Sequence, residues 1–162
     1  MVVIKYSDFV MHASGILSYA YKNCELFSLI TEQMKPFSKR PPNCIHDKQL
    51  EQLNNSLDQQ LVGIRKWANS GINRNHTVMN VYRLDKNAYD FLNTHMERIL
   101  CDNSFPEDIC FYKNRKIWIS TVKVDELAFM YDASPNDLLF WDNENISYSY
   151  VHDDSDPFIL HY

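Results

Sequence analysis

Arg74 and His76, two residues apart, form the first group in this sequence that could do chemistry. A histidine can carry a proton near neutral pH, and an arginine can hold a phosphate through two N–H groups, as in a metal-independent nuclease or phosphotransfer site. Such a site needs a second acid–base group, and His95 is the candidate that the sequence offers. Position 95 also fits a hydrogen-bonded histidine at the edge of a helix's apolar face. Arg74, His76 and His95 are therefore an alternative catalytic set, and no catalytic residue is assigned.

The stretch FPEDICFY contains a second candidate, the adjacent carboxylates Glu107 and Asp108. Pro106 favours extended backbone before it, so the two acids stand at the entry to a strand. Adjacent side chains on an extended chain point to opposite faces, and a general acid–base pair must face one site. The pattern favours a structural strand entry, with one carboxylate paired to a base such as Arg98.

The sequence gives little support for other kinds of catalytic, metal or cofactor site. The motifs of phosphate-binding loops, serine hydrolases and zinc proteases are absent. The four cysteines form no C-x-x-C pair, and Cys44-x-His46 is the nearest approach to a metal-binding spacing. We expect reduced thiols, no metal and no cofactor. No apolar run approaches the ~20 residues that span a bilayer, and Lys5 and Asp8 interrupt the apolar start, so no membrane segment or signal peptide is expected and the cytoplasm is the expected location.

Charge is distributed very unevenly along the chain. Residues 1–123 hold all 16 lysines and arginines and carry a net charge of +4, whereas residues 124–162 hold nine carboxylates and no lysine or arginine, a net charge of −9. The basic stretches at 35–48 and 113–123 are short and the protein as a whole is acidic, so nucleic-acid binding is not expected.

Aromatic residues alternate with these carboxylates. Tyr and Trp are favoured anchors at interfaces, and clustered carboxylates speed encounter with a cationic partner. The segment therefore predicts a surface for a basic protein, formed by Trp141, Asp142, Glu144, Tyr148, Tyr150, Asp153, Asp154 and Asp156. The alternative is charge balance inside the molecule, with the acidic segment folded against the basic first half. A third reading is a homodimer, in which this segment meets the basic 35–48 connection of a second chain.

The elements that must position these residues follow from periodicity. Apolar residues three or four apart predict one helix from about Ser7 to Met34, and leucines at the same spacing predict a second from Asp47 to about Gly71. A proline-rich connection separates the two.

After residue 71 the pattern changes to a mixture of strands and helices. The β-branched stretch 76–84 predicts a strand, Asp85 caps a third helix to about Leu100, and 108–112 with 116–122 predict a hairpin. Short helices follow at Asp125 and Ser134-Pro135, then a strand at 146–151. The expected fold is α+β in one domain, 1–162, with a helical N-terminal half (about 1–71) packed on a small, mainly antiparallel sheet within the mixed part (about 72–162).

Three stretches resemble a family of small uncharacterised Firmicutes proteins often labelled stage III sporulation protein AH. They are LVGIRKW (61–67), HTVMNVYRLD (76–85), and FPEDICFY with IWIST (105–121), within a similarity that covers about residues 47–130. The resemblance implies a bacterial, intracellular protein and no particular activity. Lys113-Asn114-Arg115 departs from the Asn-Gly expected in that family's hairpin, which predicts a longer turn or one of another type.

These observations favour a small cytoplasmic inhibitor over an enzyme. The leading hypothesis is an immunity protein that neutralises a toxin, or an inhibitor of a defence enzyme, by covering a basic active site. The alternatives are the metal-independent nuclease or phosphotransfer enzyme using Arg74 and His76, and a dimeric regulatory protein.

Overall fold

A computed structural model describes residues 1–32, 49–62, 77–102 and 107–151. Within these ranges one antiparallel sheet of eight strands dominates, in the order β3-β4-β2-β5-β6-β7-β1-β8. The strands are β1 Val2–Lys5, β2 Leu26–Glu32, β3 Leu57–Val62, β4 Thr77–Arg83, β5 Glu107–Lys113, β6 Lys116–Val122, β7 Leu127–Met130 and β8 Tyr148–Tyr150.

Four α-helices accompany the sheet in the described part of the chain: α1 Tyr6–Met11, α2 Ala13–Asn23, α3 Lys86–Cys101 and α4 Pro135–Asn143. Two 3₁₀ turns, Glu51–Ser56 and Lys123–Asp125, precede β3 and β7. α2 packs against α3, and the first 3₁₀ turn also packs against α3.

The sheet has two apolar faces. One face packs with the helices in a core that joins Ile4, Phe27, Phe111 and Trp118 of the strands to helix residues such as Phe9, Ile16, Leu17, Phe91 and Leu92. The second face forms its own buried cluster, to which the described helices contribute no side chain: Leu26, Ile30, Met79, Val81, Cys110, Tyr112, Ile117, Val122, Phe129 and Tyr131. Strands buried on both faces carry nearly continuous apolar runs, as β2, β5 and β6 do.

The hairpin of β5 and β6 has a two-residue turn. Asn114 and Arg115 both adopt positive φ, 50° and 61°, the conformation of a type I′ turn that matches the twist of paired strands. The prediction of a longer turn, or one of another type, was therefore wrong: Asn114-Arg115 forms the same two-residue turn that Asn-Gly would form. Glu25 holds this strained conformation by accepting a hydrogen bond from the Arg115 backbone N–H at 2.6 Å.

The predicted fold class was wrong. The N-terminal half is not helical: the expected 7–34 helix is two short helices that join at His12 and end at Asn23, followed by β2 at the centre of the sheet. The periodicity misled because Leu26-Phe27-Ser28-Leu29-Ile30 is apolar on both sides, which a strand buried on two faces and a buried helix share.

The second predicted helix is helical only at its start, at Gln49, Leu50 and the 3₁₀ turn, and it was wrong from Leu57 onward. Leu53 lies in a 3₁₀ turn, and Leu57 and Leu61 lie on the edge strand β3. A four-residue spacing fits one face of a strand as well as one face of a helix. Residues 47–48 and 63–71, which complete that prediction, lie outside the described ranges.

Other elements were confirmed. β4, β5, β6 and α3 lie where predicted, and α3 has Asp85 as its cap. β1 and β7 were missed, and the helix expected at Asp125 is a single 3₁₀ turn. None of the helices in the described residues has the length and apolar composition needed to span a bilayer.

Candidate functional site

The helix α4 positions the candidate surface. Ser134 caps it in a reciprocal box with Asp137: the serine Oγ accepts from the Asp137 N–H at 3.2 Å, and the Asp137 carboxylate accepts from the Ser134 N–H at 2.9 Å. Pro135 occupies the first turn, where a missing N–H costs nothing. Trp141, fully buried, anchors the helix in the core.

A tight turn then returns the chain to the sheet. Glu144 ends α4, and Asn145 adopts a left-handed conformation with φ 57°. The N–H of Ile146 donates to the Trp141 carbonyl at 3.0 Å, and the Ile146 side chain is buried. This closure of the helix end directs the chain into β8, which pairs with β1.

Four predicted partner residues flank this turn, namely Asp142, Glu144, Tyr148 and Tyr150. We call these four residues the acidic–aromatic edge. The Tyr148 hydroxyl donates to Asp142 Oδ1 at 3.1 Å, and the rings of Tyr148 and Tyr150 meet edge to face with centroids 5.9 Å apart. Tyr150 is 69% exposed. The edge therefore combines carboxylates with an exposed aromatic surface on the outermost strand of the described sheet.

The two carboxylates have different electrostatic surroundings. The carbonyl end of a helix carries partial negative charge, which opposes anions, and the last turn of α4, which contains Asp142, has no basic residue. The Glu144 carboxylate instead lies over Gly15 in the first turn of α2, where a helix favours anions, and its Oε2 is 3.8 Å from His12 Nδ1. Partial burial and the hydrogen bond to Asp142 raise the pKa of Tyr148, which keeps its hydroxyl protonated as a donor.

Asp137 has a different role although it belongs to the same acidic segment. Its side chain is 2% exposed and its Oδ1 accepts from Lys113 Nζ at 2.6 Å and from the Tyr19 hydroxyl at 3.0 Å. Burial by itself would raise the pKa of this carboxyl, but the hydrogen bonds from Lys113 and Ser134 outweigh burial and lower the pKa. Asp137 is therefore a structural anion that is closed to a partner.

Aromatic rings complete the surroundings of this ion pair. Lys113 Nζ lies 4.4 Å from the ring centre of Trp118 and 5.6 Å from that of Tyr19, within cation–π range. Burial, followed by the hydrogen bond to Asp137, raises the pKa of Tyr19 to about 12. The cluster joins α2, the β5–β6 hairpin and α4, and at neutral pH it holds the Asp137 carboxyl ionised and the Tyr19 hydroxyl protonated.

Trp141 does not belong to the predicted surface. It is fully buried, its indole N–H faces Met130 Sδ at 3.0 Å, and its ring stacks at 6.4 Å from Trp118. The correction has a simple cause, since the side chain points to the core face of α4 while Asp142, the next residue, points to solvent. Asp153, Asp154 and Asp156 lie outside the described residues.

The candidate catalytic residues are not assembled in the described structure. Arg74 and His76 lie outside it. His95 is half-buried on α3 with its ring 4.7 Å from that of Phe91, and desolvation followed by the charge of Arg98 lowers its pKa. Its contact with the Phe91 ring places it at the edge of the apolar face of α3.

Asp108 is also structural. It is buried, it adopts a left-handed φ of 55° at a bulge between β5 and β2, and its Oδ1 accepts the N–H of Lys123 at 2.9 Å. The Asp108 carboxylate thus fixes the start of the 3₁₀ turn between β6 and β7.

A charged cleft of about 430 Å³ lies at the other side of the sheet, lined by Glu25, Asp58, Arg83, Asp85 and Arg115 together with two leucines. Its polar groups have partners within the protein: Arg115 Nη2 donates to Asp58 at 3.3 Å, Arg83 donates to the Asn55 carbonyl, and Asp85 caps α3. The contact between Arg115 and Asp58 holds the β5–β6 hairpin against β3.

Metal binding has no geometric support in the part of the chain that the structure describes, where no three His, Cys, Asp or Glu side chains converge. Cys44 and His46 lie outside that part. Cys24, Cys101 and Cys110 are free thiols, and burial raises the pKa of Cys24 and Cys110.

Comparisons of the chain with protein-family models, with curated proteins and with solved structures returned no match. The similarity to the Firmicutes family stays a prediction.

Sequence reasoning missed the ion pair of Lys113 and Asp137 and the place of β8 at the sheet edge. The capping pattern Ser134-Pro135-x-Asp137 was a signal that the third-position acid turns back toward the helix start and inward. Nothing in the local pattern indicated that β8 would pair with residues 2–4, because that contact spans almost the whole chain.

Proposed function

We propose that this protein is a small cytoplasmic inhibitor that binds a basic protein through the acidic–aromatic edge, as an immunity protein does when it covers the active site of a toxin. The observation that carries the proposal is the placement of Asp142 at the carbonyl end of α4, beside the two tyrosines and close in sequence to Glu144. A carboxylate there costs stability, and the last turn of α4 has no lysine or arginine to offset it. A cationic partner would relieve that cost on binding.

The aromatic component supports the same function. Tyr148 and Tyr150 present ring surface beside the carboxylates, and tyrosine contributes a large contact area with few rotatable bonds. The combination fits recognition of lysine and arginine side chains, since a cation can contact a carboxylate and a ring face together. An inhibitor of a defence enzyme would use the same chemistry as an immunity protein.

The test uses charge-neutral variants that preserve shape. Asp142→Asn/Glu144→Gln removes two charges, and the amide oxygen that the first substitution introduces would still accept from the Tyr148 hydroxyl. The matched control is Glu51→Gln/Glu97→Gln, which removes two exposed carboxylates, one in the 3₁₀ turn before β3 and one on α3, neither of which belongs to the acidic–aromatic edge. The tagged proteins are incubated with lysate of the source cell at low and high salt, and captured proteins are identified by mass.

We expect a stoichiometric basic partner with the wild type at low salt and its release at high salt, because rim charges act through screened attraction. The control should retain the partner, and Asp142→Asn/Glu144→Gln should bind it at least tenfold more weakly. Equal binding by the two double variants would refute the proposed surface.

A further inference from the structure

The outer side of β8 has a defined hydrogen-bonding pattern. Met1 and Val151 form a hydrogen-bonded pair beside β1: the Met1 amine donates to the Val151 carbonyl at 3.2 Å, and the Val151 N–H donates to the Met1 carbonyl at 3.0 Å. Hydrogen-bonded and non-hydrogen-bonded pairs alternate along an antiparallel ladder. The pairs of Tyr148 with Ile4 and of Tyr150 with Val2 are therefore of the second type. The backbone N–H and C=O groups of both tyrosines point away from β1.

β8 is the last strand of the described sheet on this side, so these four backbone groups face outward. Natural sheets protect open edges with lysine, proline or a bulge. β8 reads Tyr-Ser-Tyr and pairs with β1 in regular register. The opposite edge strand, β3, has an irregularity between Leu57 and Gln59. The edge beside the carboxylates lacks lysine, proline and a bulge, and its one protective feature is its short length of three residues.

Side-chain direction adds a second constraint. Tyr148 and Tyr150 lie two residues apart, so their side chains share one face of the strand. They pair with Ile4 and Val2 of β1, whose side chains lie on the same face, in the core under the helices. A strand added beside β8 would place every second side chain on that same face, next to the tyrosine rings and the Asp142 carboxylate that Tyr148 contacts.

We propose that the partner docks as an extended, basic segment that adds an antiparallel strand to β8, with arginine or lysine at the two positions opposite Tyr148 and Tyr150. Backbone hydrogen bonds supply the affinity, and the charges and rings select the basic side chains. Charge complementarity identifies the occupant, since the four side chains of the acidic–aromatic edge include two carboxylates and no base. The inference rests on the proposed function and specifies how the partner binds.

The experiment uses the full-length protein and a synthetic peptide, acetyl-Thr-Val-Arg-Val-Arg-Val-Thr-amide, labelled for fluorescence anisotropy. One derivative is N-methylated at both arginines, whose N–H groups would face β8, and a control derivative is N-methylated at the two valines that follow the arginines. We expect the first derivative to bind about 30-fold more weakly, from the loss of two backbone hydrogen bonds of about 1 kcal/mol each, and the control to bind like the parent. Equal binding by both derivatives, or loss with the valine-methylated one alone, would overturn the proposal.

Variants of the protein distinguish strand addition from binding through the charged surface alone. Tyr150→Pro removes an outward N–H, and Tyr150→Ala removes the ring alone, so the proline variant should bind the parent peptide more weakly than the alanine variant. If the parent and both methylated peptides bind the wild type equally well, and Asp142→Asn/Glu144→Gln weakens all three, strand addition is refuted while the charged surface stands. No binding of the parent peptide at low salt also refutes strand addition, and the capture of the basic partner then decides the proposed function separately.

Amide hydrogen exchange of Tyr148 and Tyr150 tests for other occupants. Without peptide, both amides should exchange quickly, and the peptide should slow them. Slow exchange in the free protein at all concentrations would show that the protein's own chain covers the edge. Protection that grows with protein concentration would show a second copy there. Either result would overturn the proposal.

Discussion

The buried ion pair of Lys113 and Asp137 makes a strong prediction about stability. Asp137 accepts hydrogen bonds from Lys113, Tyr19 and Ser134 and is almost inaccessible to water, whereas the Lys113 side chain is 26% exposed. Removing one partner of a buried pair costs about 3–5 kcal/mol because a charge stays behind without its counter-ion. Three other donor groups near Asp137 reduce that cost, so we expect Lys113→Met to lower the free energy of unfolding by about 2–3 kcal/mol.

A double-mutant cycle isolates the interaction. Asp137→Asn should also destabilise the fold, but Lys113→Met/Asp137→Asn should cost less than the sum of the single variants by about 1–2 kcal/mol, since the second change removes the stranded charge. Urea denaturation followed by circular dichroism measures each free energy. The exposed pair of Lys86 and Asp90 on α3 is the control, and its cycle should show no resolvable coupling. Additive effects at Lys113 and Asp137 would refute the reasoning.

The same pair predicts the direction of the pH dependence. The lowered pKa of Asp137 means that its stabilising contribution is complete above its ordinary unfolded value, about 4, and is lost as the pH falls through the lower folded value. Wild-type stability should therefore fall as the solution is acidified below about pH 4, and Asp137→Asn should show a shallower fall. Identical pH profiles would show that this carboxyl does not couple folding to protons.

Three further predictions concern other parts of the molecule. Glu126 holds a left-handed φ of 54° after the second 3₁₀ turn, so Glu126→Gly should be about 1 kcal/mol more stable than Glu126→Ala by thermal denaturation. Asp142→Asn should raise the free energy of unfolding by about 0.5 kcal/mol because it removes an anion from the carbonyl end of α4, and a loss of stability would show that this carboxylate serves the fold. Cys101 is exposed and Cys110 is buried, so a thiol reagent should label Cys101 in the native protein and Cys110 only after denaturation, as peptide mapping by mass will show.

The hairpin and the third helix were predictable because their signals are local. Asp85 caps α3, and apolar residues at helical spacing over sixteen residues fit a helix and not a strand. The strands flanking Asn114 are β-rich and interrupted by one polar turn. In both cases the information lies within one element and its cap.

The N-terminal half was not predictable in the same way. β2 lies between β4 and β5, so both of its faces are buried and its apolar residues lose the alternation that marks a strand. β1 has only four residues, and its pairing with β7 and β8 is decided by chain that lies more than 120 residues away. Tertiary pairing overrode the helical spacing in both places.

The candidate site divides the acidic segment into two functions that its sequence does not distinguish. Asp137 lies five residues before Asp142, yet the first carboxylate is closed inside the fold by Lys113 and the second reaches solvent beside Tyr148. Intramolecular contacts therefore account for Asp137, and Glu144 meets His12 and the first turn of α2, whereas Asp142 at the end of α4 has no basic group in its own helical turn. A fold optimised only for stability would place bases at the carbonyl end of α4, as the helix dipole favours. Asp142, next to an exposed ring and outward-facing backbone groups, is the acid for which we propose a cationic partner.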